Sequence, residues 1–293
     1  MLLGGNQAMS YYRLLKLHDE PFSTSPDPSF FFLSSQHKAA LTRLRIALNL
    51  KRGLSVIVGD VGTGKTTLSR KLSQILKEEQ DVCFYMILNP YFKTQKQFLS
   101  RLVSLFHAPI DPKKTTGLDC IEAVEQFLFR TGVQEKKRVV LLIDEAQLLP
   151  EYVLEILRIL LNYETNEFKI LQLILVGQME LVPTLSAMPN FWDRIALKCV
   201  IKPLDLNETK EMINFRLGQA GHQGAALFTD EAIRAIHEHT HGYPRQMSML
   251  CHNLLETLVM RDMQVVDEAL VRDTVTTELR PHSAQAAEVQ NVY

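Results

Sequence analysis

The chain has 293 residues, 32 basic against 33 acidic, and a hydrophobic fraction of 46%. That is enough sequence for one large or two ordinary globular domains, and the balanced charge excludes a molecule drawn as a whole to nucleic acid or an anionic surface. Four cysteines, Cys83, Cys120, Cys199 and Cys251, form no C-x-x-C pair, which argues against a zinc ribbon or disulfide framework and for a reducing cytoplasm.

No apolar run approaches the roughly 18 residues needed to cross a bilayer. The opening MLLGGNQAMSYYR lacks a basic segment followed by an apolar one, so neither direct membrane insertion nor export is expected. Residues 1–9 read as a leader or a disordered segment, and 281–293 as a disordered tail.

After the turn-rich EPFSTSPDPSFFFLSS, a helix is predicted over about 36–50 and a short β-branched strand, LSVIV, at 54–58. A helix carrying Leu68, Leu72, Ile75 and Leu76 follows, then the strand VCFYMIL and a helix spaced on Leu99, Leu102, Val103 and Phe106. A helix near 118–130 leads to the strand VVLLI, a helix near 151–163 and the strand ILQLILV. Buried strands alternating with amphipathic helices predict an α/β fold, a parallel sheet flanked by helices, over residues 10–205. From 206 to 280 only helices are read, near 207–220, 229–240, 244–261 and 267–279, which predicts an all-helical lid domain.

Gly59 to Thr66 reads GDVGTGKT, a full match to G-x-x-x-x-G-K-[ST] between a predicted strand and a predicted helix. Gly59, Asp60, Val61, Gly62, Thr63, Gly64, Lys65, Thr66 and Thr67 are expected to cradle the phosphates of ATP with backbone N–H groups and the positive end of the helix dipole. Lys65 would neutralise the β and γ phosphates, and the Thr66 hydroxyl would sit on Mg²⁺. In VVLLIDEAQ, Asp144 fits a second Mg²⁺ ligand and Glu145 the base that polarises the attacking water. A GTPase would carry D-x-x-G here, but residue 147 is Gln, and no N-K-x-D follows. The adjacent Glu therefore points to an ATPase.

His237 to His241 reads H-E-H-T-H, a match to the zinc-protease pattern H-E-x-x-H. The helix should stop at Gly242, and the other histidines show no third-ligand spacing, so a zinc site is not expected. Two local basic stretches make double-stranded DNA a candidate partner: Lys38, Arg43, Arg45, Lys51 and Arg52, and then Lys93, Lys96, Arg101, Lys113 and Lys114.

The opening L-H-D-E-P-F-S-T-S-P-D-P-S-F-F-F-L-S-S-Q-H-K-A-A-L, the loop GDVGTGKT, LLIDEAQLL and ILVGQMEL together resemble the AAA+ ATPases of the ExeA/GspA type over roughly residues 10–260. Those ATPases assist bacterial secretion and pilus systems and are related to the TniB/TnsC transposition ATPases. The resemblance implies an ATP-dependent ring or other homo-oligomer and a membrane-anchored secretion or pilus partner. It places Gln178 at the sensor-1 position, beside the lytic water. Arg194, in FWDRIALK ahead of a strand, matches an arginine finger offered to a neighbouring subunit, and Arg245, in GYPRQ, matches a lid arginine that reaches the nucleotide. The transposition relatives imply the alternative of an ATP-dependent oligomer on DNA.

Overall fold

The computed structural model describes residues 10–24, 27–111 and 116–278. The segments expected as leader and tail, and Lys113 and Lys114 of the second basic stretch, lie outside these residues. The chain divides into two compact units: Leu33–Lys202, and the segments on either side of it taken together. It opens on one helical turn of the second unit, α1 (Tyr11–Leu14), and enters the first through α2 (Ser35–Asn49).

The α/β unit holds five strands, β1 (Leu54–Gly59), β2 (Val82–Ile87), β3 (Arg138–Ile143), β4 (Leu171–Gly177) and β5 (Ile195–Ile201). They lie in the order β2-β3-β4-β1-β5, and every pairing is parallel. Between them run α3 (Lys65–Lys77), α4 (Gln95–Phe106), α5 (Gly117–Phe129), α6 (Glu151–Leu160), α7 (Leu181–Ser186) and α8 (Pro189–Trp192). The central runs are apolar without alternation because a parallel sheet is covered on both faces. Val139, Leu141, Ile143, Leu171, Leu173 and Leu175 share a core with α4, α5 and α6, while α3 packs against β1, β2 and β4. Each such side chain contributes about 1.5–3 kcal/mol on burial.

The apolar runs predict four strands outright. The fifth escapes that pattern because β5 is an edge strand: Leu197, Cys199 and Ile201 are buried, and Ala196, Lys198 and Val200 are exposed. Its alternation is that of a strand with one covered face.

The helical unit comprises α1, α9 (Leu206–Gln219), α10 (Asp230–Thr240), α11 (Pro244–Met260) and α12 (Glu268–Glu278). Its division from the α/β unit differs from the sequence expectation, which placed residues 10–32 with the sheet. Leu17 and Phe22 are buried in the core formed by α9, α10 and α11. The Phe22 ring meets Phe228 edge-on at 6.0 Å, His18 N donates to the Ala220 carbonyl at 2.8 Å, and Arg216 Nη1 donates to the Ser23 carbonyl at 3.2 Å. Apolar burial of Leu17 and Phe22, with the Ser23 carbonyl held by Arg216 of α9, draws the opening segment to the helices.

The H-E-H-T-H stretch closes α10. The helix ends at Thr240, and His241 is left-handed at φ 50°, so His237 and His241 do not share one helix face. His237 Nδ1 instead bonds the Thr209 hydroxyl at 2.9 Å. Gly242 follows at φ 74°, where a Cβ would lie 2.0 Å from the Leu204 carbonyl oxygen, and its own carbonyl accepts from Leu204 N at 2.9 Å. Gly242→Ala combines a left-handed alanine with a backbone collision and is expected to cost about 2–4 kcal/mol. Urea unfolding checks this, and a loss below about 0.5 kcal/mol refutes it.

Candidate nucleotide-binding site

The loop between β1 and α3 turns through Gly62 and Gly64, at φ 84° and 93°, a region open to glycine and strained for other residues. No side chain caps α3, whose N-cap is Gly64, whereas Ser34, Thr94 and Thr116 cap α2, α4 and α5 through their hydroxyls. The first N–H groups of α3 thus lack the side-chain acceptor that those neighbours carry, the arrangement in which a helix end and glycine loop take an anion.

Lys65 is 8% exposed, and its ammonium donates to the carbonyls of Gly59 and Asp60, each at 2.8 Å. Burial pushes its pKa below the ordinary lysine value, opposed by the charges of Glu145, Asp144, Asp60 and Glu180. Asp144, 2% exposed, follows the last residue of β3. Burial pushes its carboxyl above the usual range, against the Glu145 N–H and the Thr66 hydroxyl, which both bond the carboxylate. The loop and the strand end expected to share a metal are therefore already joined by a hydrogen bond.

Glu145 and Gln178 close the site, at the ends of the adjacent strands β3 and β4. Gln178 Nε2 donates to Glu145 Oε2 at 3.4 Å. Two further residues were not singled out by sequence reasoning. Gln147 Nε2 donates to Glu145 Oε2 at 2.5 Å. His37, 1% exposed, bonds the Ser34 hydroxyl through Nδ1 at 2.9 Å and the Thr63 carbonyl through Nε2 at 3.0 Å, which fixes the peptide leading into Gly64. The sequence signal for Gln147 was its place in DEAQ; for His37, a histidine one turn inside a serine-capped helix gives none.

Arg194 stands elsewhere in the α/β unit. Arg194 directly precedes β5, whose first residue pairs with Leu54 and whose last pairs with Gly59. It therefore lies at the sheet edge opposite its own phosphate loop, roughly 20 Å away at a strand's rise per residue. Its guanidinium donates to Asn162 Oδ1 at 2.7 Å and to the Asn190 carbonyl. Arg245 is exposed in the first turn of α11, in the helical unit.

Among the described residues, no helix is long and apolar enough to cross a membrane. A family model described as AAA domain matches residues 48–185. General secretion pathway protein A of Aeromonas hydrophila is 35% identical over 247 residues, which are 84% of this chain and 44% of that protein. The chain thus spans less than half the length of that relative. Two solved structures share the fold: Cdc6p from Pyrobaculum aerophilum, with TM-score 0.67, 15% identity and coverage of 89% of this chain and 71% of that one, and Drosophila ORC bound to DNA, with TM-score 0.64, 18% identity and coverage of 98% and 70%. With its phosphate loop, paired acids and parallel five-stranded sheet, the chain carries an AAA domain at residues 48–185 with the fold of the P-loop AAA+ ATPases.

Proposed function

We propose that the chain binds ATP with Mg²⁺ and hydrolyses it through Glu145, within a homo-oligomer. The observation that carries this reading is the meeting of Lys65, Thr66, Asp144, Glu145 and Gln178 at one edge of the sheet. Thr66 and Asp144 offer neutral and anionic oxygens in hydrogen-bond contact, a donor set suited to a hard divalent cation. Bound Mg²⁺ would supply charge neutralisation between the β and γ phosphates. The loop N–H groups and Lys65 hold the phosphates, Glu145 accepts a proton from water as its oxygen attacks the γ-phosphorus, and the bond to the ADP oxygen breaks. Gln178, against the Glu145 carboxylate, orients that water.

Arg194 is too far from its own loop to reach the γ-phosphate, which supports service to a neighbouring copy. Arg245 is proposed as the lid contact to nucleotide. The likeness to General secretion pathway protein A supports coupling of hydrolysis to assembly or remodelling of a bacterial secretion or pilus machine, from the cytoplasm and through a membrane-anchored partner.

A second reading, an ATP-dependent oligomer on double-stranded DNA, is favoured by the exposed face of α2. Lys38, Arg43 and Arg45 are exposed there, and the helix contains no acid. Such a face binds phosphates without reading sequence.

Lys65→Ala is expected to lose nucleotide binding, while Glu145→Gln keeps it and loses about 100-fold or more in kcat. Calorimetric titration and steady-state turnover separate the two, and wild-type turnover by Glu145→Gln removes the base assignment. A hydrolysis-resistant ATP analogue is expected to drive self-association in sedimentation, and Arg194→Ala to lower turnover without lowering nucleotide affinity. A monomer of undiminished specific activity across a wide concentration range refutes the finger. The same sedimentation with and without duplex DNA decides between the two readings, since the second requires salt-sensitive DNA binding that depends on the analogue.

Asp144 must be ionised to hold a metal, although burial raises its pKa. An acid whose folded pKa is raised subtracts stability as pH climbs past its unfolded pKa, and in full above the folded one. Asp144→Asn is therefore expected to abolish hydrolysis yet raise the Tm of the nucleotide-free protein at pH 7. The gain should vanish below about pH 4. Thermal melts across pH check this, and an unchanged or lower Tm at pH 7 refutes it.

A further inference from the structure

A polar bridge joins the ends of β3 and β4. Gln147 Nε2 donates to Glu145 Oε2 at 2.5 Å, and Gln147 Oε1 accepts the backbone N–H of Gln178 at 3.0 Å. The second bond orients the amide. A backbone nitrogen only donates, so the amide oxygen faces it and the NH₂ group is left to face the carboxylate. Gln178 Nε2 approaches the same carboxylate oxygen from 3.4 Å, a longer and weaker contact.

The backbone at Glu145 shows why a hold is needed. Seven non-glycine residues among those described have positive φ. Six of them close or follow a helical turn, where a left-handed residue is an ordinary ending. Glu145 alone of the seven comes just after a strand, at φ 52° and ψ 38°. This conformation costs about 1–2 kcal/mol for a residue with a side chain, and it persists where the surroundings hold it. The holding contacts are the Asp144 carboxylate, which accepts Glu145 N–H at 3.0 Å, and Gln147 on the side chain.

We propose that Gln147 is the positioning residue for the base. It ties the Glu145 carboxylate to the turn after β4, so that the base and Gln178 keep one fixed relation to the attacking water. The role needs a neutral donor. A glutamate at 147 would still accept the Gln178 N–H but would set a second carboxylate against the first. The inference rests on Glu145 being the base, as proposed above.

The test uses the full chain, with ATP turnover measured against ATP concentration and nucleotide affinity measured separately, for Gln147→Leu and Gln147→Glu. Glu145→Gln is the control. Gln147→Leu is expected to lower kcat about tenfold or more, the worth of a hydrogen bond to a charged group, with KM and nucleotide affinity within about twofold. Gln147→Glu, equal in shape and still able to accept the Gln178 N–H, is expected to lower kcat at least as far, with KM and nucleotide affinity within about twofold, because a second carboxylate repels the first. Wild-type kcat in either variant overturns the proposal. Parallel loss of nucleotide affinity and kcat also overturns it, since that marks a structural part. If Gln147→Leu does not fold, kcat and nucleotide affinity of Gln147→Glu decide. Full turnover by Glu145→Gln removes the base reading itself. An inactive Glu145→Gln beside unaffected Gln147 variants removes only the present inference.

Discussion

Parallel pairing is the constraint from which the site follows. Since all five strands run one way, each delivers its C-terminal end to the same edge, and each connection must return to the other edge before the next strand begins. Gly59 therefore ends beside Ile201, Ile143 beside Ile87 and Leu175, and the turns after β1, β3 and β4 meet. The Asp144 N–H donates to the Ile87 carbonyl at 2.8 Å, so even the first residue beyond β3 is set by the neighbouring strand. The same rule sends Arg194, which precedes its strand, to the opposite edge. A chain built this way separates a group that precedes a strand from one that follows it by the length of that strand.

Charge is concentrated where water is excluded. Lys65 and Asp144 are 8% and 2% exposed, and burial works against the ionised form of both. Their mutual attraction, with the carbonyls on Lys65 and the donors on Asp144, offsets part of that cost; pairs of this kind seldom add net stability over apolar packing. The stability of the unit comes instead from the apolar strands behind them, whose side chains in β3 and β4 are nearly all fully buried. The rigid sheet supports a strained and highly charged rim.

Much of this was legible in the sequence, for local reasons. Apolar runs announced the central strands, and GDVGTGKT and IDEAQ announced the loop and the acids, because each motif lies within a few residues of the backbone that uses it. The rest depended on contacts distant in sequence. β5 escaped the apolar pattern, and only the resemblance placed a strand after Arg194, because Lys198, on its exposed face, interrupts the apolar run. Gln147 depends on the backbone N–H of Gln178, 31 residues on, and His37 on the Thr63 carbonyl, 26 residues on. Neither side chain carries a spacing pattern, since its partner belongs to another strand end or loop.

The P-F-S opening belongs to the core of the helical unit. Phe22 is 1% exposed and meets Phe228, more than 200 residues along the chain. The Ser23 carbonyl receives Arg216, whose guanidinium burial drives toward an abnormally low pKa. Its Nε has no hydrogen-bond partner, and no acid is paired with it among the described ion pairs, so the main-chain oxygens of Pro21 and Ser23 are the acceptors it finds. A cation held by carbonyls demands a particular backbone path rather than a particular side chain. That demand, together with the pocket filled by Phe22, explains why this segment is bound to the helices. Its place before the sheet in sequence suggested the α/β unit; its energetics assign it to the other.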